Sequence, residues 1–453
     1  FEVVWDDINL QDEVEEAKAA LYREQARKLQ LTNDAAERDA FRGGSFAVAD
    51  TLADFCAALS RPRRILMMIY AGAVDSFLGE ILPYLEAGDI LIDGGNSNYA
   101  DTERRIALAA ERGVRFVGMG VSGGEEGARH GPSLMVGCDE AAWAELSPIL
   151  CKIAARAEDG TVCCGRVGSG GAGHLTKTVH NGIEYGEMQV IAELCHIMRI
   201  GGLPSQTIGQ RFALWNRGLL QGYLTEIAAA VLSYEEDGQP LVDRISDVAR
   251  QKNTGKWASQ EALALGCPAP SLFEAVAARL LTEDSMRAQR EALYAPARKI
   301  ILRYIEGHME RAYLAAKTLL YVQGLELLRA SSEQHGWGIS LATALSLWKG
   351  GCIIRSALLP ALIQAVEEGG DLLSAQPVRE ILAQSIPSLR KVVSAAAEGG
   401  APVPAMGSAL AYFDAQTCGK LPGNVIQGLR DCFGAHGYER IDREGSFHTK
   451  WLG

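Results

Sequence analysis

Gly168-Ser-Gly-Gly-Ala-Gly-His-Leu-Thr-Lys-Thr-Val-His-Asn-Gly-Ile-Glu-Tyr-Gly-Glu-Met188 is a glycine-rich turn that runs straight into a helical pattern. Lys177, His180, Asn181 and Glu184 stand at i, i+3, i+4 and i+7, on one face of an α-helix, with Lys177 and Glu184 about 10 Å apart along the axis. Leu175, Val179, Ile183, Val190 and Leu194 form an apolar stripe on the opposite face. That stripe would bury the helix and leave the polar row facing a cleft wide enough for a small polyol. An ordinary solvated face is the alternative. Two features count against it. Lys177 and Glu184 are too far apart for i,i+4 pairing, and Gly182 and Gly186 each cost a helix about 1 kcal/mol relative to Ala, so something must approach closely there.

The 453 residues suffice for two or three domains and a large core. Apolar residues at 48% and charged residues at 22% are ordinary for a soluble globular protein. The net charge of −12 argues against a nucleic-acid partner and leaves room for a local basic pocket that takes a small anion. Ten cysteines without a Cys-x-x-Cys pair read as buried or free thiols in a reducing compartment, with Cys163-Cys164 as strand content. No run reaches the roughly 18 apolar residues of a membrane span, and no signal peptide is visible. The expectation is a soluble, cytoplasmic protein with no membrane partner.

Upstream of the opening stretch, Phe1-Glu-Val-Val-Trp5 reads as a strand ending in Asp6-Asp7, and 10–42 as one or two exposed helices. Arg64-Ile-Leu-Met-Met-Ile-Tyr70, Asp89-Ile-Leu-Ile-Asp93 and Val114-Arg-Phe-Val-Gly118 are strand-length apolar runs alternating with helical segments, the pattern of a parallel sheet covered on both faces. Ligands bind such sheets beyond the C-terminal strand ends, where Tyr70-Ala-Gly72, Asp93-Gly-Gly-Asn96 and Gly118-Met-Gly-Val-Ser-Gly-Gly124 fall. Each glycine cluster also suits a plain turn; three in consecutive units carry more weight. From Gly173 to about Thr417 the pattern is helical, punctuated by Gly201-Gly-Leu-Pro204 and by a tight turn at Asp237-Gly-Gln-Pro240. From Gly419 onward no helical period is visible, and the residues read as an extended tail.

With these residues in view, the chain resembles the 6-phosphogluconate dehydrogenases. Asp93-Gly-Gly-Asn-Ser97, Val121-Ser-Gly-Gly-Glu-Glu-Gly-Ala-Arg129, His174 to Tyr185, Gln251-Lys-Asn-Thr-Gly-Lys-Trp257, Trp348-Lys-Gly-Gly-Cys-Ile-Ile-Arg355 and Arg430-Asp-Cys-Phe-Gly-Ala-His436 fit that family's motifs in order, over almost everything from Arg61 to Trp451. The resemblance implies an α/β Rossmann-type NAD(P)-binding domain over 1–170, with its first strand and helix missing. It also implies a large all-α catalytic and dimerisation domain over 171–418, and a tail over 419–453 that reaches the partner subunit of a homodimer. It further implies oxidation of the C3 hydroxyl of 6-phosphogluconate by hydride transfer to a nicotinamide, loss of C1 as CO2, and tautomerisation to ribulose 5-phosphate in the pentose phosphate pathway, with no metal. By resemblance Lys177 is the base and then the acid at the C3 oxygen, a role that requires a lowered pKa. Glu184 is the acid that protonates C1 of the five-carbon enediol as it becomes ketone. Asn96, Ser122, Gly123, Gly124, His180 and Asn181 bind the substrate's carboxylate and hydroxyls; Tyr185, Lys252, Thr254, Arg279, Arg430 and His436 hold its phosphate. Tyr70, Ala71, Gly72 and Asn96 lie on the cofactor side.

The sequence departs from the family in places. The glycine-rich dinucleotide fingerprint is absent; a βαβ unit needs about 30 residues, so the expectation is a fragment whose fingerprint belonged before Phe1. Trp5-Asp6-Asp7-Ile8 stands where the family has Asn-Arg-Thr. An acid there would bond a ribose 2′-hydroxyl and repel a 2′-phosphate, favouring NAD over the family's NADP; a helix cap is the plain alternative. The loop Ala71-Gly-Ala-Val-Asp75 is one residue short, and Asn253 replaces a common glycine. Two other readings stay open. One is a smaller β-hydroxyacid dehydrogenase, whose members lack the second helical half and the tail. The other is a non-catalytic nucleotide-binding remnant, against which the intact Lys177, Glu184 and phosphate-binding set weighs.

Overall fold

In the computed structural model, which describes residues 3–4, 49, 51–251, 253–294 and 298–453, six short runs form one sheet. These are β1 (Val3–Val4), β2 (Arg64–Met67), β3 (Ile90–Asp93), β4 (Arg115–Ser122), β5 (Ser133–Gly137) and β6 (Cys164–Gly168), in spatial order of sequence. Helices α1 (Leu52–Ala58), α2 (Val74–Ile81), α3 (Tyr99–Ala110), α4 (Gly124–His130) and α5 (Glu140–Ile153) connect them. Asp6, Asp7 and the expected helices of 10–42 lie outside the described residues. Side chains alternate along the strands from β2 onward, so the sheet feeds two cores. Ile65, Met67 and Leu91 pack with Phe77 and Leu78 of α2 on one face. On the other, Leu66, Ile90, Ile92, Val117 and Val136 pack with Leu146 and Leu150 of α5.

The sheet is not wholly parallel, as the strand pattern had suggested. β1 to β4 run parallel with Met67 opposite Asp93 and Asp93 opposite Gly118, but β5 pairs antiparallel with β4, Ser122 opposite Ser133. The link 123–132 is shorter than the dozen or so residues a parallel crossover needs, so the chain doubles straight back. β6 then pairs parallel with β5.

The helical half is α6 (Ala172–Ile200), α7 (Ser205–Trp215), α8 (Tyr223–Ser233), α9 (Thr254–Ala264), α10 (Pro270–Thr282), α11 (Arg287–Tyr294), α12 (Glu306–His335), α13 (Leu341–Leu347), α14 (Leu359–Glu368), α15 (Gln376–Glu398) and α16 (Pro404–Gln416). The expected tight turn joins β7 (Glu235–Glu236) to β8 (Gln239–Pro240), with Asp237 and Gly238 both left-handed at φ 54° and 74°, as a two-residue hairpin loop requires. The apolar stripe Leu175, Val179, Ile183, Val190 and Leu194 is fully buried. The close approach inferred at Gly182 and Gly186 is helix packing. A Cβ on Gly186 would lie 2.2 Å from a Leu320 methyl of α12, and one on Gly182 3.2 Å from Ala258 of α9.

The tail departs from the extended reading. It contains α17 (Gly423–Gly434) and a ladder of β9 (Tyr438–Glu439) with β10 (Ser446–Phe447), antiparallel. Three glycines, at 423, 428 and 434, dilute the helical period, and its apolar residues Val425, Ile426, Leu429 and Phe433 face outward, 59–76% exposed. A short stripe interrupted by glycine leaves a weak pattern.

Candidate active site

Lys177 owes its position to backbone contact. The first turn of α6 lies on the β4–β5 hairpin so closely that a Cβ on Gly120 would stand 2.5 Å from Cβ of Lys177 and 2.7 Å from the carbonyl oxygen of Gly173. Only glycine permits that approach, and it lays the lysine across the end of β4, 7% exposed.

Around it the row closes into a hydrogen-bonded chain. Ser122 Oγ, at the end of β4, lies 3.1 Å from His180 Nε2, and His180 Nδ1 lies 3.2 Å from Asn181 Oδ1 and 3.5 Å from Lys177 Nζ. Asn181 Nδ2 donates to Thr254 Oγ1 at 3.0 Å, at the start of α9. These partners assign the imidazole proton to Nδ1, donating to Asn181, with Nε2 accepting from the serine hydroxyl. The Trp348 indole stands edge-on to the ring, 5.7 Å between centroids. Glu184 Oε2 lies 3.8 Å from His180 Nδ1.

Burial sets the charges of this row. It lowers the Lys177 amine, against the opposing pull of Glu184 and Cys352. It also holds His180 well below the usual imidazole range, helped by Lys177, so the ring is neutral. Glu184 is raised by burial, Lys177 and Arg279 opposing and Glu187 reinforcing. The Cys352 thiol is pushed up to about 12 by burial, which keeps it protonated. An amine made less basic beside a carboxyl made less acidic is a base and acid pair suited to neutral pH.

At the other expected subsites the outcome is divided. Arg279 stacks its guanidinium 3.5 Å above the centre of the Tyr185 ring, next to Glu184, and burial lowers its pKa. Lys252 lies outside the described residues. Arg430 and His436 are exposed in the tail, Arg430 bonding Gln427 at 3.2 Å; among the described residues neither bonds the α6 row. Gly123, at φ 135°, opens α4, and a Cβ there would meet the carbonyl oxygen of Gly351 at 2.7 Å. Asn96 is exposed after β3, in a loop held by the buried Asp93 carboxylate, which accepts from Gly95 N at 3.0 Å and from Ser97 Oγ at 2.6 Å.

Tyr70, Ala71 and Gly72 follow β2 beside that loop, with the Tyr70 ring 59% exposed. An exposed aromatic ring and the Asn96 amide at two adjacent parallel strand ends fit the nicotinamide half of a dinucleotide. Asp6 and Asp7, expected at the ribose 2′-position that distinguishes NAD from NADP, are not among the described residues.

Three structural residues escaped the sequence reading. Arg105, 2% exposed, bonds Asp75 at 2.8 Å, Ser97 at 3.3 Å, Asp93 at 3.4 Å and the Ala71 carbonyl at 3.4 Å, so it ties the two cofactor-side loops together. His174 bridges Thr102 Oγ1 at 2.6 Å and the Asp93 carbonyl at 3.1 Å. Glu187, one turn beyond Glu184, pairs with the buried Lys317 of α12 at 2.7 Å and accepts from Tyr313 at 2.7 Å. The only signal was Glu187 continuing the polar row by one turn.

Comparison with known proteins gives a consistent result. Family models match at 18–168, the NAD binding domain of 6-phosphogluconate dehydrogenase, and at 173–451, the 6-phosphogluconate dehydrogenase C-terminal domain. The chain is 44% identical over 429 residues to the decarboxylating 6-phosphogluconate dehydrogenase of Haemophilus influenzae, covering 91% of this chain and 88% of that one. It is 43% identical over 417 residues to the chloroplastic decarboxylating enzyme 2 of rice, covering 88% and 82%. The solved Plasmodium falciparum 6-phosphogluconate dehydrogenase, described in apo form and with NADP+ and with 6-phosphogluconate, superposes with a TM-score of 0.88 at 38% identity, over 93% of this chain and 92% of that one. With both halves matched and the row of α6 intact, the chain belongs to the 6-phosphogluconate dehydrogenase family and is an oxidoreductase.

Proposed function

We propose that this chain oxidises and decarboxylates 6-phospho-D-gluconate to D-ribulose 5-phosphate and CO2, with Lys177 and Glu184 as its proton-transfer groups. The observation that carries this reading is the Lys177–His180–Glu184 cluster, with the amine and imidazole buried and the carboxyl 19% exposed beside them, the amine lowered and the carboxyl raised. A nicotinamide held beside Tyr70, Ala71, Gly72 and Asn96 supplies the hydride acceptor. Neutral Lys177 takes the C3 hydroxyl proton as the C3 hydride departs. The resulting ammonium then hydrogen-bonds the C3 ketone oxygen while the C1–C2 bond breaks and CO2 leaves. The pair of that bond forms the C2–C3 double bond of the enediol as the ammonium proton passes to the C3 oxygen; Glu184 then protonates substrate C2, which is C1 of ribulose 5-phosphate, while neutral Lys177 takes back the C3 hydroxyl proton, and transfer of that proton to the Glu184 carboxylate restores both groups. Asn96, Ser122, Gly123 and Gly124 hold the carboxylate end, and neutral His180 with Asn181 orients the C3 hydroxyl.

Tyr185, Lys252, Thr254 and Arg279 grip the phosphate, and Arg430 and His436 of a second copy complete that grip. The outward-facing apolar residues of α17 support such an exchange, because they meet no core among the described residues. The working units are thus 1–170 for the dinucleotide, 171–418 for chemistry and dimerisation, and 419–453 for the exchanged arm. NADP is the cofactor of this reading; Asp6 and Asp7, which follow β1 in sequence, favour NAD as a second reading. Initial rates with each dinucleotide decide between the two. Reduction of either one dependent on 6-phosphogluconate, abolished in Lys177→Ala while substrate binding persists by calorimetry, supports the assignment. Near-normal turnover in that variant contradicts it.

A further inference from the structure

Glu261 lies outside the reacting row, yet it is 4% exposed with both carboxylate oxygens occupied. Oε2 accepts from the Tyr99 hydroxyl and Oε1 lies 3.1 Å from His335 Nε2. The three residues come from three elements. Tyr99 opens α3 directly after the loop that bears Asn96, Glu261 stands on α9, and His335 ends α12. Trp337 stacks on the His335 ring at 4.3 Å between centroids and meets Tyr99 edge-on at 5.5 Å. Its Nε1 donates to Glu103 at 2.6 Å, one turn along α3, and the same Glu103 oxygen accepts from the Gly171 amide at 2.7 Å, at the entry to α6. The start of α3 is therefore bound to the helical half through Tyr99, Thr102 and Glu103.

The placement of Glu261 gives this junction a bearing on the reaction. α9 begins at Thr254, the partner of Asn181, and Glu261 follows seven residues later, two turns or about 10 Å along the axis. One helix thus touches the row at one end and the base of the Asp93–Asn98 loop at the other. Burial and the neighbouring Glu261 hold the Tyr99 hydroxyl well above the usual phenol range, so it remains a donor.

We infer that Glu261, acting through Tyr99, is a positioning residue for hydride transfer. It fixes the Asp93–Asn98 loop, and the Tyr70–Gly72 loop that Arg105 ties to it, at a set distance from Lys177 and His180. This rests on the proposed function, since the loops matter to the rate only if they hold the reacting end of the substrate and the nicotinamide. A misplacement of about 1 Å between reacting groups costs on the order of a hundredfold in rate. A simple staple would change stability and leave the folded enzyme's kinetics alone.

The test is Tyr99→Phe, which keeps the ring on Trp337 and removes only the hydroxyl, read by steady-state kinetics with 6-phosphogluconate carrying protium or deuterium at C3. The expected result is a fall in kcat of about ten- to a hundredfold with KM for the sugar acid changed less than about twofold. The deuterium isotope effect on kcat rises, and hydrogen exchange rises in peptides covering 93–103. Glu261→Asp, which withdraws the carboxylate by one methylene, gives the same fall, and Glu261→Gln, which keeps an acceptor for the hydroxyl, recovers most of kcat. An unchanged kcat and isotope effect in Tyr99→Phe and Glu261→Asp overturns the inference, as does a lower melting temperature with unaltered kinetics. A wild-type protein that fails to turn over 6-phosphogluconate counts against the functional reading; an active wild type beside unaffected variants counts against the positioning role alone.

Discussion

The α6 row and the C-terminal tail stand at opposite extremes of exposure, although the functional reading assigns both to one substrate. Lys177, His180 and Asn181 are all under a tenth exposed and bonded within one chain, whereas Arg430 and His436 face outward beside an exposed apolar face. The difference follows from what each group must do. Proton transfer near neutral pH needs shifted pKa values, and those need burial, which a single packed core supplies. Holding a phosphate dianion needs charge and directional donors, and these require no burial, so on the proposed reading a surface completed by another subunit can supply them.

The largest expected effect breaks the buried side of this contrast. Lys177→Ala should lower kcat by about a thousandfold or more, within the range of general acid and base contributions, while calorimetry still detects 6-phosphogluconate binding. Glu184→Gln should cost about a hundredfold. Because the reaction needs neutral Lys177 together with protonated Glu184, kcat/KM of the wild type should be bell-shaped in pH, and the variant should lose the alkaline limb and keep the acid one. Arg430→Ala acts on the exposed side. It should raise KM for the substrate about ten- to a hundredfold with kcat within a few-fold, since it removes a charge-assisted grip on a group that does not react.

The smallest effect is on stability, and its sign differs between the two regions. Glu193 of α6, accepting from the Ala405 and Met406 amides, is pushed up by burial from 4.5 to about 7. A folded value above the unfolded one contributes stability that is full below the ordinary glutamate range and is lost as pH rises through about 7. Asp431 in the tail is fully buried too. Burial alone would raise it, but the Thr449 amide, His448, Trp451 and the Gly437 amide hold it below the usual carboxylate range. Its contribution is present above that range and is lost as pH falls. Melting temperatures across pH should therefore lose their decline between about 5 and 7 in Glu193→Gln, and part of their acid-side decline in Asp431→Asn.

The contrast also accounts for what could be read from sequence. The α6 row and its apolar stripe were visible because a helix with one buried apolar face writes a 3.6-residue period, and the strands of the sheet because doubly covered strands are continuous apolar runs. α17 escapes the sequence because its apolar face meets no core among the described residues and its period is broken by glycine. The reversal of β5 lay in the length of the 123–132 link rather than in any residue pattern. Arg105 and the Tyr99–Glu261–His335 junction could not be foreseen, since they join residues far apart in sequence, and neither spacing nor composition records such pairings. Gly182 and Gly186 were correctly read as sites of close approach, but the approaching groups are Ala258 and Leu320.

The most direct test of the account is complementation between the two regions. Lys177→Ala and Arg430→Ala chains, each poorly active alone, are unfolded together, refolded as a mixture and assayed at subsaturating 6-phosphogluconate. If the row works within one chain and the tail serves its partner, a mixed dimer contains one site free of both substitutions, and the mixture turns over faster than the sum of the separate variants. A mixture no more active than that sum, with mixed dimers shown to be present, contradicts the division of labour between buried row and exchanged tail.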